Sequence, residues 1–92
     1  NGQLKRVWLM GEVKEYGKAI TRGQEILFEN FCNNMKGGYE CYALLLWHRE
    51  DSDKDIYIKD CIVAKLYHNG KWSDVIAKRG EVTFKEVFNK IA

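Results

Sequence analysis

Two pairs of metal-binding residue types occur at the same spacing in this chain. Cys41 precedes His48 by seven residues, and Cys61 precedes His68 by the same interval. Cysteine and histidine are the ligands that zinc prefers. Both segments, however, have strand patterns, in which residues seven apart point to opposite faces about 23 Å apart at ~3.3 Å per residue. Because zinc ligands lie about 2.0–2.3 Å from one ion, the spacing predicts no zinc site.

Residues 51–55 (DSDKD) carry side-chain oxygens at alternate positions, as the first half of a calcium-binding loop does. Such a loop also needs glycine at its sixth position and a bidentate glutamate at its twelfth. Isoleucine occupies both positions here, as Ile56 and Ile62. We therefore interpret the segment as a polar connection between strands, and we expect the protein to bind no metal and no cofactor.

Nucleophilic catalysis has little support in the sequence. No G-x-S-x-G motif is present, and the three cysteines lie in apolar surroundings, where burial raises the thiol pKa and lowers its reactivity. The Gly37-Gly38 pair follows a predicted helix instead of preceding one, so it does not predict a phosphate-binding loop. We expect no enzymatic activity.

Length and composition indicate a single domain spanning residues 1–92. The formal net charge of +2 is too small to require a nucleic-acid or anionic-membrane partner. An odd number of cysteines, here Cys32, Cys41 and Cys61, is unlike the even disulfide framework of small secreted domains. The N-terminal residues show no signal pattern, and no apolar run approaches the length of a membrane span. We therefore expect a cytoplasmic protein with reduced thiols and no membrane contact.

The elements that would position these residues centre on one apolar segment, residues 39–48 (YECYALLLWH). With a strand's period of two, both of its faces are apolar, so each face needs cover. Residues 4–16 predict another strand, in which Gly11 indicates a bulge or a close backbone approach. Residues 56–68 and 71–78 predict two further strands, joined by a type I′ turn at Asn69-Gly70.

Two capping boxes predict two helices. Thr21 and Gln24 begin the first helix, which ends near Met35, and Thr83 and Glu86 begin the second. The first helix carries one apolar stripe that should face the sheet, formed by Leu27, Phe28, Phe31, Cys32 and Met35. The predicted fold class is α+β: a four-stranded, mostly antiparallel sheet with two helices on one face, in the order β-α-β-β-β-α.

Two helices on one face would leave the second face of the sheet uncovered. The type I′ turn places Tyr67 opposite Trp72 and Lys65 opposite Asp74, on a predicted outer face. An exposed apolar face usually marks a contact site, although Trp8 and Met10 of the first segment could instead cover it. We therefore expect a small non-catalytic module that binds a partner protein or its own copy as a homodimer. The candidate partner-binding residues are Val63, Tyr67, Trp72 and Ile76.

Nucleic-acid binding is the alternative interpretation. The order helix, three strands, helix of residues 21–92 resembles that of the double-stranded RNA-binding domain in topology, without a shared motif. The resemblance implies a basic cluster at the start of the last helix. A second route is stacking of single-stranded bases on Tyr67 and Trp72, beside lysines. The candidate nucleic-acid-binding residues are Lys65, Lys71, Lys78, Arg79 and Lys85.

Overall fold

The computed structural model describes residues 6–35, 39–50 and 55–91, and the side chains of these residues except Ile91. The glycine pair at residues 37–38, which follows the first predicted helix, lies outside this part, as do residues 51–54 of the segment that resembles half a calcium loop. The elements are β1 (Arg6–Glu15), α1 (Arg22–Asn33), β2 (Tyr39–His48), β3 (Ile62–His68), β4 (Lys71–Asp74), α2 (Val75–Arg79) and α3 (Phe84–Ile91). A short 3-10 turn at Ile58–Asp60 precedes β3.

The predicted α+β class and the four-stranded sheet are confirmed. The strand order is β1-β2-β3-β4, with β1 parallel to β2 and the other two pairings antiparallel. The central strand has the predicted bounds, and both of its faces are buried. The capping boxes at Thr21 and Thr83 form as expected, because each hydroxyl accepts a hydrogen bond from the amide three residues later.

The β3–β4 hairpin has the register that the Asn69-Gly70 turn predicts. Both turn residues have positive φ, 53° and 80°, and Tyr67 lies opposite Trp72. The prediction of a strand over residues 71–78 is wrong for its second half, because β4 ends at Asp74. The Asp74 carboxylate accepts a hydrogen bond of 3.0 Å from the amide of Ala77 and so caps α2, a helix that the sequence analysis did not predict.

One extra residue in β3 changes which side chains face the core. Leu45 pairs with Lys65, but Leu46 pairs with Val63, so Ala64 is the bulged residue. A bulge shifts the two-residue alternation by one position. Val63 therefore packs on the same face of the sheet as Leu66, while Ala64 packs on the opposite face.

The helices lie on opposite faces of the sheet, unlike the expectation that they would share one. On the first face, Phe28 of α1 and Ile20 pack against Leu45 and Ala64. The second face is covered from the C-terminal part of the chain, which packs Val82, Phe84 and Val87 against Leu44, Leu46 and Val63. We call these the α1 face and the α3 face. Each apolar face of β2 is thus covered by the chain itself.

A disulfide joins Cys32 near the end of α1 to Cys41 in β2, with a Cα–Cα distance of 5.3 Å. The expectation of reduced thiols is therefore wrong for these two residues. Cys32 lies on the side of α1 that turns toward the sheet, and Cys41 lies on the α1 face of β2, so the two sulfurs meet. Cys61 is a free, buried thiol.

Strand β1 runs beside β2 in unbroken parallel register from Arg6 to Glu15. A Cβ added at Gly11 would lie 3.0 Å from the carbonyl oxygen of Leu44. The glycine therefore marks a close backbone approach, which is one of the two outcomes that the sequence predicted, and no bulge interrupts the pairing there. Within the described ranges, no helix has the length and hydropathy needed to cross a bilayer.

Candidate interaction surface

The residues predicted to bind a partner do not form an exposed face. Val63 is buried on the α3 face with 0% exposure, and Tyr67 is buried with 3% exposure. Trp72 and Ile76 are half-buried and pack beside the core of the α1 face. The prediction of an open face is therefore wrong, because the bulge turns Val63 to the opposite side and α1 covers the remainder.

Hydrogen bonds hold α1 over these aromatic residues. The Tyr67 hydroxyl donates to the side-chain oxygen of Asn33 at 2.9 Å, and Trp72 Nε1 donates to a Glu29 carboxylate oxygen at 2.8 Å. Arg22 donates to the same Glu29 oxygen at 2.9 Å. The hydrogen bond from Trp72, followed by the bond and charge of Arg22, lowers the pKa of Glu29. The carboxylate therefore stays ionised in its position facing the sheet.

These contacts fix α1 in an unexpected rotation about its axis. The half-buried positions of α1 are Gln24, Glu25, Phe28, Glu29 and Cys32, which follow the spacing of one helix face. Two members of the predicted apolar stripe point outward instead, since Leu27 is 70% exposed and Phe31 is 42% exposed. No pattern in the sequence indicates this rotation, because the sheet-facing side contains only two apolar residues.

The outward rotation creates an apolar surface. Leu27 and Phe31 of α1 are exposed, and Trp8 of β1 is 45% exposed. The Trp8 and Phe31 rings lie 5.8 Å apart between their centroids. A shallow cavity of about 370 Å³ lies on α1 beside Leu27, Phe31 and Met35. We call Trp8, Leu27, Phe31 and Met35 the α1 patch. Contiguous apolar surface of this kind usually marks a contact with another molecule.

The α1 patch adjoins an open edge of the sheet. Among the described strands, β1 pairs with β2 and with no other. The amide of Tyr16 donates to the carbonyl of His48 in β2 at 2.9 Å. Because the register is unbroken and hydrogen-bonding groups alternate sides along a strand, even-numbered residues direct these groups toward β2. Val7, Leu9, Gly11 and Val13 therefore direct their amides and carbonyls to the open side.

The five candidate nucleic-acid-binding residues do not form one surface. Lys78 and Arg79 end α2 and line one cavity together with Lys90. Lys65 lines a different cavity, beside Ile76 on the α1 face. Lys71 follows the hairpin turn, and Lys85 lies in the first turn of α3. The structure thus brings together two of the five.

A small cavity of about 150 Å³ brings His48, Asp60 and Cys61 near one another. Burial, followed by the charge of Asp60, raises the pKa of the Cys61 thiol. The thiol is therefore protonated at neutral pH and a poor nucleophile. The Nδ1 atom of His48 is buried, with no hydrogen-bond partner among the described residues. In the same part of the chain, no three His, Cys, Asp or Glu side chains converge as metal ligands.

Comparisons with protein-family models, with curated proteins and with solved structures found no match for this chain.

Proposed function

We propose that this chain is a small non-catalytic interaction module that binds a second copy of itself, edge to edge, through β1. The observation that carries the proposal is the ten-residue β1, which within the described part of the chain pairs on one side alone and lies beside the α1 patch. A long strand edge with free amides and carbonyls is a template for pairing with another strand. A second copy would extend the sheet and place apolar surface next to apolar surface.

One antiparallel register fits the side chains of β1 to themselves. With Leu9 opposite Leu9 of the second copy, Arg6 lies opposite Glu12 and Trp8 lies opposite Met10. Twofold symmetry repeats both of these pairs. Leu9, Val7 and Gly11 direct their amides and carbonyls outward, so in this register they would form the hydrogen-bonded pairs between the copies. The strand thus offers complementary charge and complementary apolar surface to its own copy.

Neighbouring registers lack this complementarity. Centring the pair on Met10 puts Arg6 opposite Lys14, and like charges directly across a sheet are destabilising. Centring it on Gly11 puts the apolar Met10 opposite Glu12. Arg6 also lies over the ring of Tyr39, 5.6 Å from its centroid, which orders the guanidinium on the α1 face. Charge complementarity therefore favours the register centred on Leu9.

The Trp8–Met10 pairs would join the two α1 patches. Trp8 and Met10 point to the same side of β1, and Trp8 already contacts Phe31. Each Trp8 would then lie between the Phe31 of its own copy and the Met10 of the other. Burial of aromatic area at the centre of an interface is the usual source of strong contact energy.

Charge reversal tests the register. Each opposite-charge pair contributes about 0.2–1 kcal/mol. Because symmetry doubles every change, Arg6→Glu should weaken the dimer roughly tenfold to a hundredfold in sedimentation equilibrium. Glu12→Arg should do the same. The double variant Arg6→Glu/Glu12→Arg restores opposite charges across the interface and should recover the dimer.

Lys14→Glu is the matched control, because Lys14 lies on the same side of β1 but outside the Arg6–Glu12 span. It should leave the dimer constant nearly unchanged. A chain that sediments as a monomer up to millimolar concentration would overturn the proposal. A dimer that tolerates both single reversals would show that another surface makes the contact.

The disulfide indicates the redox environment of the protein. The cytoplasmic location expected from the sequence rested on three reduced thiols, and two of them are joined. Disulfides form and persist in oxidising compartments. We therefore propose an oxidising environment. Thiols alkylated at neutral pH in denaturant, after an acid quench, should number one per chain, from Cys61, whereas three would restore the cytoplasmic assignment.

A further inference from the structure

We infer that the cavity between α2, α3 and the α3 face of the sheet binds a small amphipathic anion, with a carboxylate or phosphate group on an apolar body. The cavity has a volume of about 320 Å³. That volume lies at the lower end of the range for small-molecule sites, about 300–1,000 Å³. The cavity is separate from the proposed dimer contact, so an experiment that refutes the dimer leaves the ligand inference unaffected, and the reverse also holds.

The floor of the cavity is apolar. Leu66 of β3, Val75 of α2 and Val87 of α3 line it. Val75 is buried, and Leu66 and Val87 are half-buried as neighbours of the α3-face core. A hydrocarbon body bound there would be removed from contact with water, and it would displace no polar partner of these side chains.

The rim of the cavity is cationic. Lys78 and Arg79 from the last turn of α2 line it together with Lys90 from the last turn of α3. These three positive charges exceed the formal net charge of +2 of the whole chain. No carboxylate belongs to the described lining. Several like charges around one cavity repel one another, and an anion bound between them relieves that repulsion.

A hydroxyl donor completes the site. Ser73 of β4 and Tyr42 of β2 line the same cavity. Because the Tyr42 hydroxyl donates its proton to Glu40 at 3.3 Å, Tyr42 contributes its ring to the cavity wall and no donor to an anion. Ser73 can donate to an anion oxygen. The guanidinium of Arg79 matches the two oxygens of a carboxylate or phosphate in bidentate geometry. Charge, hydrogen-bond donors and apolar floor together define the ligand class.

Calorimetric titration with octanoate and with octyl phosphate tests the inference, with octanol and octylammonium as probes of charge. We expect saturable binding of at least one of the two anions, weaker binding of octanol and none of octylammonium. The variant Lys78→Gln/Arg79→Gln should weaken anion binding about tenfold or more, because it removes charge-assisted hydrogen bonds. Val87→Trp should block binding by filling the floor while every cation stays in place.

Lys85→Gln is the matched control, because Lys85 lies on α3 outside the cavity lining. It should bind octanoate as the unsubstituted chain does. Equal affinity for octanol and octanoate, or unchanged affinity in Lys78→Gln/Arg79→Gln, would overturn the inference. A lower melting temperature of that variant with no loss of anion binding would also overturn the inference, since the two cations would then only stabilise the C-terminal end of α2.

An RNA oligonucleotide is the competing ligand for the same cations. Binding that falls steeply with salt, disappears in Lys78→Gln/Arg79→Gln and is not displaced by octanoate would assign the basic rim to nucleic acid and overturn the small-anion inference.

Discussion

Reduction of the Cys32–Cys41 disulfide should lower the free energy of unfolding by about 2.6 kcal/mol, from the loop-entropy relation at 25 °C. The two cysteines are separated by 9 residues. A crosslink of this kind removes conformations from the unfolded chain, and its effect grows with the logarithm of the loop length. The short loop therefore gives a moderate value.

The loss should be concentrated in α1. This helix contains no fully buried residue and contacts the α1-face core through Phe28. Its other links to the sheet include the disulfide, the hydrogen bonds to Tyr67 and Trp72, and the contact of Phe31 with the Trp8 ring. Without the crosslink, amide hydrogen exchange should accelerate in α1 more than in β2, because local opening of α1 requires little loss of apolar burial.

Urea unfolding with and without a phosphine reductant, followed by circular dichroism, measures the effect. The corresponding fall in melting temperature is about 10–20 °C for a domain of this size. Cys41→Ala is the control, because its unfolding should be insensitive to reductant. Coincident unfolding curves for samples whose thiol content proves full reduction would refute the reasoning. Three free thiols before any reductant is added would refute the crosslink itself.

Two further substitutions test the packing. Gly11→Ala should destabilise the fold by about 1–2 kcal/mol in urea unfolding, because the added Cβ meets the backbone of Leu44. Gly23→Ala in α1 adds a Cβ that meets no atom within 4 Å, and it should stabilise the fold by about 0.5–1 kcal/mol. Changes of the same sign in the two unfolding free energies would contradict the close backbone approach at Gly11. The lowered pKa of Glu29 implies stability that is present above the usual glutamate value of about 4.3 and is lost as pH falls through the folded-state pKa. Trp72→Phe removes the main cause of that shift, so the loss of stability as pH falls below the usual glutamate value should be smaller in this variant than in the unsubstituted chain. An unchanged loss would exclude the Trp72–Glu29 hydrogen bond as its source.

Local signals in the sequence predicted local structure well. The capping box at Thr21 requires two residues three positions apart, and the Asn69-Gly70 turn requires positive φ at two adjacent residues. Both devices act within a few residues, so neither depends on the rest of the fold. They located α1 and fixed the β3–β4 register, and the apolar run of β2 was sufficient to locate the centre of the sheet.

The exposure of the predicted partner-binding residues was predicted poorly, because it depends on a one-residue shift in the pairing of β2 with β3. Without a bulge at Ala64, Val63 and Tyr67 would share a face. With it, Val63 packs on the α3 face, and Tyr67 lies beneath α1, where it donates to Asn33. A one-residue shift transfers a whole set of side chains between faces, and the alternation pattern alone cannot locate it.

The rotation of α1 was also decided by distant partners. Its strongest apolar stripe includes Leu27 and Phe31, which a pattern argument assigns to the core. The helix instead turns Glu29 toward Trp72, which lies 43 residues further along the chain. The Cys32–Cys41 bond holds the same side of α1 against β2.

The sequence by itself determined α1, the central strand, the two capping boxes and the β3–β4 hairpin, because these follow from interactions between residues close together in the chain. Tertiary structure alone decided which helix covers which face, which side of α1 is exposed and which edge stays open. Those outcomes depend on a bulge, a crosslink and hydrogen bonds between residues far apart in the chain. Their energies exist only once the sheet has assembled, so the local pattern of residues cannot encode them in a form that can be recognised.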